Sequence, residues 1–138
     1  MRLPVFLDAS FVVALGDEGD EHHRAAMAYW SRLTPISHRP ITTEPMLYEV
    51  VAYFQRRGRH DLAVRYGSLL RDGLDIEFLR IDEATNELAW QYLARRHDKG
   101  YSLADCASFV VMTRMGLRDA LTFDHHFAQA GFRMLPGP

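Results

Sequence analysis

Four carboxylates stand where this sequence can do chemistry. Asp8 ends the short apolar run Val5-Phe6-Leu7, and Asp124 ends Ala120-Leu121-Thr122-Phe123. Both runs read as strands, and in open α/β sheets the ligand crevice lies outside the carboxyl ends of the strands. Asp105 falls in the first turn of an apolar helical segment that follows Gly100, and Glu49 lies in the helical segment after Ile41-Thr42-Thr43. If the strand–helix units run parallel, all four acids gather on one edge of the fold. Carboxylates crowded together repel one another and rise in pKa unless a cation lies among them. Hard oxygen ligands select Mg²⁺ or Mn²⁺. Such an ion activates water and stabilises charge on a phosphoryl oxygen, so phosphodiester hydrolysis is the reaction class that an all-carboxylate site fits.

Each acid also has a purely local explanation. Asp8 is suited to a turn between strand and helix. Ser102-Leu103-Ala104-Asp105 has the S-x-x-D form of a capping box. Asp124 can cap a short helix beginning at His125. Glu49 lies off the apolar stripe Met46, Leu47, Val50, Val51 and Phe54, as a solvated glutamate does, and Glu44 in the first turn of the same segment competes with it.

The elements that must position these residues alternate between short β-prone runs and longer helical patterns, the signature of an α/β domain around a mostly parallel sheet. Val5 to Leu7 is the first strand, followed by a short helix from Ser10 to Leu15 that stops at Gly16. Asp20 to Leu33 is helical and closed by Pro35, and Ser37 to Pro40 reads as a polar loop. Ile41 to Thr43 is a second strand feeding a helix over Glu44 to Arg57, where Pro45 is tolerated in the first turn. A helix over Arg59 to Asp72 comes next. Ile76 to Ile81 alternates apolar and charged residues, as a half-exposed edge strand does. Asp82 caps a helix over Glu83 to His97, and Ser102 to Met115 is a helix apolar nearly all round. Ala120 to Phe123 is the fourth strand, and Phe132 to Leu135 offers a fifth.

Together these segments resemble the PIN-domain family, and within it the VapC-type toxins of toxin–antitoxin pairs. The resemblance rests on Phe6-Leu7-Asp8-Ala9-Ser10, on Thr42-Thr43 with Tyr48-Glu49, on Tyr101 to Phe109, and on Leu121 to Phe127 with Ala130-Gly131-Phe132, and spans almost the whole chain. It implies a single PIN-like domain over residues 1–138, with a central sheet of four to five strands flanked by helices. It also implies a metal-dependent endoribonuclease whose acidic pocket is Asp8, Glu49, Asp105 and Asp124, which selects Glu49 over Glu44. On this reading Asp8 and Asp105 anchor one Mg²⁺ or Mn²⁺, while Glu49 and Asp124 complete the shell through water or bind a second ion. Ser10 takes the place of a small hydroxyl residue that orients a water or a carboxylate. Cleavage by water leaves a 5′-phosphate and a 3′-hydroxyl. The partners implied are an RNA substrate, a small VapB-like antitoxin and a second copy of the chain.

Composition narrows the rivals. With 138 residues, 48% of them hydrophobic, the chain has the size and makeup of one domain with one core. Sixteen Lys and Arg against eighteen Asp and Glu give a formal charge of −2, so a polyanion must be held locally. Two basic concentrations could do so: Arg56 and Arg57 with Arg59 and His60, and Arg95 and Arg96 with His97 and Lys99; helix-end solubility is their plainer reading. His22-His23 and His125-His126 are poor chelates, because adjacent helical residues face different ways, with His125 or His126 near the acidic edge the exception to a surface or packing role. The single Cys106 excludes an internal disulfide and any multi-cysteine zinc site. The longest apolar run, Phe11 to Leu15, falls far short of the roughly 18 residues of a membrane span, and Asp8 interrupts what a signal peptide needs to be apolar, so a cytoplasmic protein is expected. The competing function is a non-catalytic PIN-like module that binds RNA or protein. A haloacid-dehalogenase-like hydrolase is disfavoured, because the second Asp of its motif is Ser10 here.

Overall fold

Residues 2–33 and 37–137 are described by a computed structural model. Five strands form one sheet in the order β3-β2-β1-β4-β5, and every neighbouring pair is parallel. The strands are β1 (Leu3–Leu7), β2 (His38–Thr43), β3 (Glu77–Leu79), β4 (Asp119–Leu121) and β5 (Arg133–Leu135). The chain builds outward from β1 to β3 on one side, then crosses to the other side for β4 and β5. The order therefore reverses at β1, and the crevice beyond the carboxyl ends of β1 and β4 is the topological switch point where such sheets bind ligands.

Helices α1 (Ala9–Gly16), α2 (His23–Arg32), α3 (Glu44–Arg56), α4 (His60–Asp72), α5 (Glu83–Arg95), α6 (Leu103–Met115) and α7 (His126–Gln129) supply the connections. α1 and α6 are the most buried, as their continuous apolar sequences require, and α6 stops at Gly116, whose φ of 70° favours a residue without a Cβ. Phe109 of α6 stacks among Tyr101, Phe127 and Phe132. This cluster fixes α7 against α6, and truncating Phe109 to Ala removes about 3–5 kcal/mol of stability.

Several boundaries differ from the sequence expectation. β2 begins at His38, so residues expected in a polar loop lengthen the strand. Pro40 is accommodated because β3 pairs with β2 only from Ile41 onward. α2 begins at His23 rather than Asp20, because the Asp17 and Asp20 carboxylates take the backbone N–H groups of Gly19 and His22 and form turns instead. β4 ends at Leu121; the Thr122 N–H still donates to the Leu135 carbonyl of β5 at 3.0 Å, while its hydroxyl turns to Asp8 and to the Asp124 N–H. β3 is an edge strand, as expected, and is shorter than the sequence pattern implies. The expected helix stop at Pro35 lies outside the described residues.

Candidate active site

Asp8 follows β1 directly, and its environment is built by two hydroxyls. Its Oδ2 accepts the backbone N–H of Ser10 at 3.2 Å, the Ser10 hydroxyl at 2.5 Å and the Thr122 hydroxyl at 2.8 Å. Each hydroxyl in turn accepts a backbone N–H from the segment after β4: Phe123 donates to Ser10 Oγ at 3.0 Å and Asp124 to Thr122 Oγ1 at 2.9 Å. The end of β1 is thus laced to the chain that carries Asp124. Asp124 Oδ1 accepts the His126 N–H at 2.9 Å, which starts α7.

Asp105 sits at the third position of α6 in a complete capping box. Its backbone N–H donates to Ser102 Oγ at 3.0 Å, and its Oδ2 accepts the Ser102 N–H at 3.1 Å. His126 Nδ1 lies 3.2 Å from the same Oδ2 and 3.5 Å from Asp124 Oδ1. The local capping explanations for Asp8 and Asp105 are therefore met, whereas α7 begins at His126 with His125 as its N-cap, and Asp124 forms a turn just before it by accepting the His126 N–H. These local roles do not exhaust the three residues. Among the described residues, Asp8 Oδ1, Asp105 Oδ1 and Asp124 Oδ2 take no hydrogen bond, so each aspartate gives one oxygen to the protein and keeps the other.

The fourth acid is held differently. Glu49 stands on an exposed face of α3, and among the described residues no hydrogen bond fixes its carboxylate. It nevertheless lines the same groove, of about 730 Å³, as Asp8, Ser10, Asp105 and Asp124. Glu44 does not; it pairs with Arg80 at 2.8 Å. Burial pushes Asp8 up to about 6 against the pull of Ser10 and Thr122, with the charges of Asp124 and Asp105 adding to the rise. Although the residue as a whole is exposed, its place in the groove wall withdraws the Glu49 carboxyl partly from water and, with the charges of Asp8, Asp105 and Asp124, raises it to about 7. These are the marks of a carboxylate group that a cation relieves. The free oxygens are hard donors, a fit to Mg²⁺ or Mn²⁺. Among the described residues, the one group of three whose possible ligand atoms all lie within 4.8 Å of one another is Asp105, Asp124 and His126, while Asp8 and Glu49 line the same groove outside that group. Since Nδ1 of His126 already faces the committed oxygens of both aspartates, its geometry matches an orienting partner behind the ligands.

The basic clusters separate. Arg56 lines the groove. Arg57 instead lies over the Tyr53 ring at 3.5 Å, and Tyr53 donates its hydroxyl to Asp17 at 2.5 Å. Arg95 and Arg96 are not in the groove wall: Arg95 donates to the Gln91 carbonyl and Arg96 covers Tyr92. Of the residues that hold the site, the sequence names His126 only as one of two histidines near the acidic edge, and it does not single out Thr122. Thr122 reads as one more strand residue until the strand is seen to end before it, and His126 carries no spacing signal beyond its closeness to Asp124.

The model of the PIN domain family matches residues 5–133. The chain is 34% identical over 129 residues to the 23S rRNA-specific endonuclease VapC20 of Mycobacterium tuberculosis, covering 93% of this chain and 95% of that protein. The crystal structure of that protein, described as a sarcin–ricin loop cleaving toxin, superposes with a TM-score of 0.86 at 32% identity, again over 93% of this chain and 95% of that one. More distant structures share the fold. VapBC2 from Rickettsia felis, at 7% identity, has a TM-score of 0.67 over 96% of this chain and 97% of that one. FitAcB from Neisseria gonorrhoeae, at 18% identity, has a TM-score of 0.64 over 94% and 95%.

Proposed function

This chain belongs to the PIN-domain family, and on that premise we propose that it is a divalent-metal-dependent endoribonuclease acting as the toxin of a VapBC-type pair. The observation that carries the reading is the division of labour within Asp8, Asp105 and Asp124. Each is fixed through one oxygen, the other takes no hydrogen bond among the described residues, and all three line a groove at the switch point of the sheet. Asp8 and Asp105 would anchor one Mg²⁺ or Mn²⁺, and Asp124 and Glu49 would complete its shell or hold a second ion. A cation bound there supplies an activated water and offsets charge that develops on the phosphate oxygens. The protein's own contributions are positional: Ser10 and Thr122 aim Asp8, Ser102 and His126 aim Asp105, and Arg56 offers a phosphate contact.

The likeness to VapC20 makes a structured loop of large-subunit ribosomal RNA the first substrate to try. The partner is a small VapB-like antitoxin. A less polar hollow of about 400 Å³ between α3 and α4, walled by Leu47, Val51, Ala63 and Val64, meets the acidic groove at Tyr48 and Ala52, which suits an apolar helix face. Among the described residues no helix is long and apolar enough to cross a membrane; a cytoplasmic location and a second copy of the chain belong to the same proposal.

The test is incubation of end-labelled RNA, including 23S rRNA, with the purified chain in Mg²⁺ or Mn²⁺ and in chelator. Cutting only with metal, leaving 5′-phosphate and 3′-hydroxyl ends, is the expected result. Products with 2′,3′-cyclic phosphate ends contradict the mechanism, and RNA binding with no cutting in either metal favours the non-catalytic module.

A further inference from the structure

Beside the acidic groove, three aromatic rings lie in one stack. Phe11 of the core is parallel to Phe123, with centroids 5.6 Å apart and planes within 6°; His22 then lies on Phe123 at 4.3 Å, with planes within 2°. Phe11 is fully buried, Phe123 half-buried, and His22 keeps 42% of its side chain open to solvent. The outermost ring of a rigid stack therefore faces water. Its side chain caps nothing: His22 precedes α2 without a side-chain hydrogen bond to the helix, and its one ionic contact is with the exposed Glu21 at 3.4 Å.

The stack is also a boundary. His22 and Phe123 line the acidic groove on one side and a second hollow, of about 640 Å³, on the other. The two hollows differ in charge. The first holds Asp8, Asp20, Glu49, Asp105 and Asp124, while none of the described residues lining the second is a carboxylate, and His125 and Arg133 stand in its wall. Arg133 is held by both oxygens of Asp119, so the second hollow is close to neutral rather than strongly basic. A polyanion meeting five carboxylates can lie along the first hollow only at its cation, but it can leave over the ridge into the second without repulsion.

From this juxtaposition we infer that His22 is a base-stacking platform: the nucleobase next to the scissile phosphate lies on the open face of the Phe11–Phe123–His22 stack as the strand passes from the acidic groove into the carboxylate-free hollow. The inference deepens the nuclease reading and rests on it for the path of the strand. Stacking on a ring is tolerant of base identity, so the platform supplies affinity and register, leaving sequence choice to other contacts. Phe123 is next to Asp124 in the chain, so a base seated here holds its phosphate close to the acids.

The test uses ligands that contain no phosphodiester bond. Adenosine 5′-monophosphate and ribose 5-phosphate are titrated into the protein while the His22 ring protons, identified by their loss in His22→Ala, are followed by NMR. Binding of a labelled short single-stranded RNA of mixed sequence is measured in parallel for the wild type, His22→Ala and His22→Phe. The expected result is a saturable upfield shift with the nucleotide and none with the sugar phosphate, about ten-fold weaker RNA binding by His22→Ala, and recovery in His22→Phe, which keeps the ring. Equal response to both ligands, or RNA binding unchanged in His22→Ala, overturns the platform. Loss of the nuclease reading is seen separately: a protein that shifts His22 with nucleotide yet cuts no RNA keeps the platform and loses the enzyme.

Discussion

The two walls of the acidic groove are built on different principles. On the β1–β4 side, Asp8 is buried and receives three hydrogen bonds, two of them from hydroxyls that are themselves tied to the backbone of Phe123 and Asp124. On the α3 side, Glu49 is exposed on its helix, and among the described residues nothing hydrogen-bonds its carboxylate. Both acids rise in pKa, but Asp8 does so inside a fixed cage and Glu49 on a movable arm. The first wall fixes one carboxylate oxygen in place, and the second leaves its carboxylate without a hydrogen-bond partner among the described residues.

If that contrast is right, the largest effects belong to the fixed wall. Asp8→Asn and Asp105→Asn are expected to lower the rate of RNA cleavage at least about a hundred-fold, with folding retained by circular dichroism. Thr122→Val keeps the shape of the side chain and removes the hydroxyl that aims Asp8. It should weaken Mn²⁺ binding about ten- to a hundred-fold in calorimetry, the range for a partner behind the ligands. Glu49→Gln should cost less than either, about ten-fold in cleavage rate. A Glu49 effect equal to that of Asp8 breaks the distinction between the walls.

The repulsion itself predicts a pH dependence. Asp8 rises from its ordinary 3.8 to about 6 and Glu49 from 4.5 to about 7, so the folded protein binds protons that the unfolded chain has released. Stability of the metal-free protein is therefore fully present below about pH 4 and falls as pH rises through 6 and 7, by on the order of 3 kcal/mol for Asp8. Saturating Mn²⁺ should reverse the slope, because the ion binds the deprotonated acids. Thermal unfolding across pH 4–8, with and without Mn²⁺, checks both signs. The smallest expected effect separates the two basic clusters: Arg56→Ala should weaken RNA binding and flatten its salt dependence, whereas Arg95→Ala with Arg96→Ala should change neither, since only Arg56 lines the groove.

The same contrast decides what could be read from sequence. Asp8 was accessible because an apolar run ending in an acid before a helix is a local pattern, and Asp105 because a capping box is one as well. Glu49 was not: its periodicity places it off the core face of α3, which is true, and only the family resemblance picked it over Glu44. The strand order placed the acids together as expected from parallel units. The lacing by Thr122 escaped notice, because it depends on β4 ending two residues sooner than hydropathy predicts. Arg57 was grouped with Arg56 by adjacency, yet neighbouring helical positions diverge, and Tyr53 takes it.

We propose that Asp8 and Asp105 would share a divalent cation, each through the carboxylate oxygen that takes no hydrogen bond among the described residues. The most direct measurement is the anomalous difference density of crystals equilibrated with Mn²⁺. The account predicts a peak touching both Asp8 Oδ1 and Asp105 Oδ1, with His126 outside the coordination shell. A peak held by Asp105, Asp124 and His126 with Asp8 uninvolved, or no peak in the groove at saturating Mn²⁺, contradicts it.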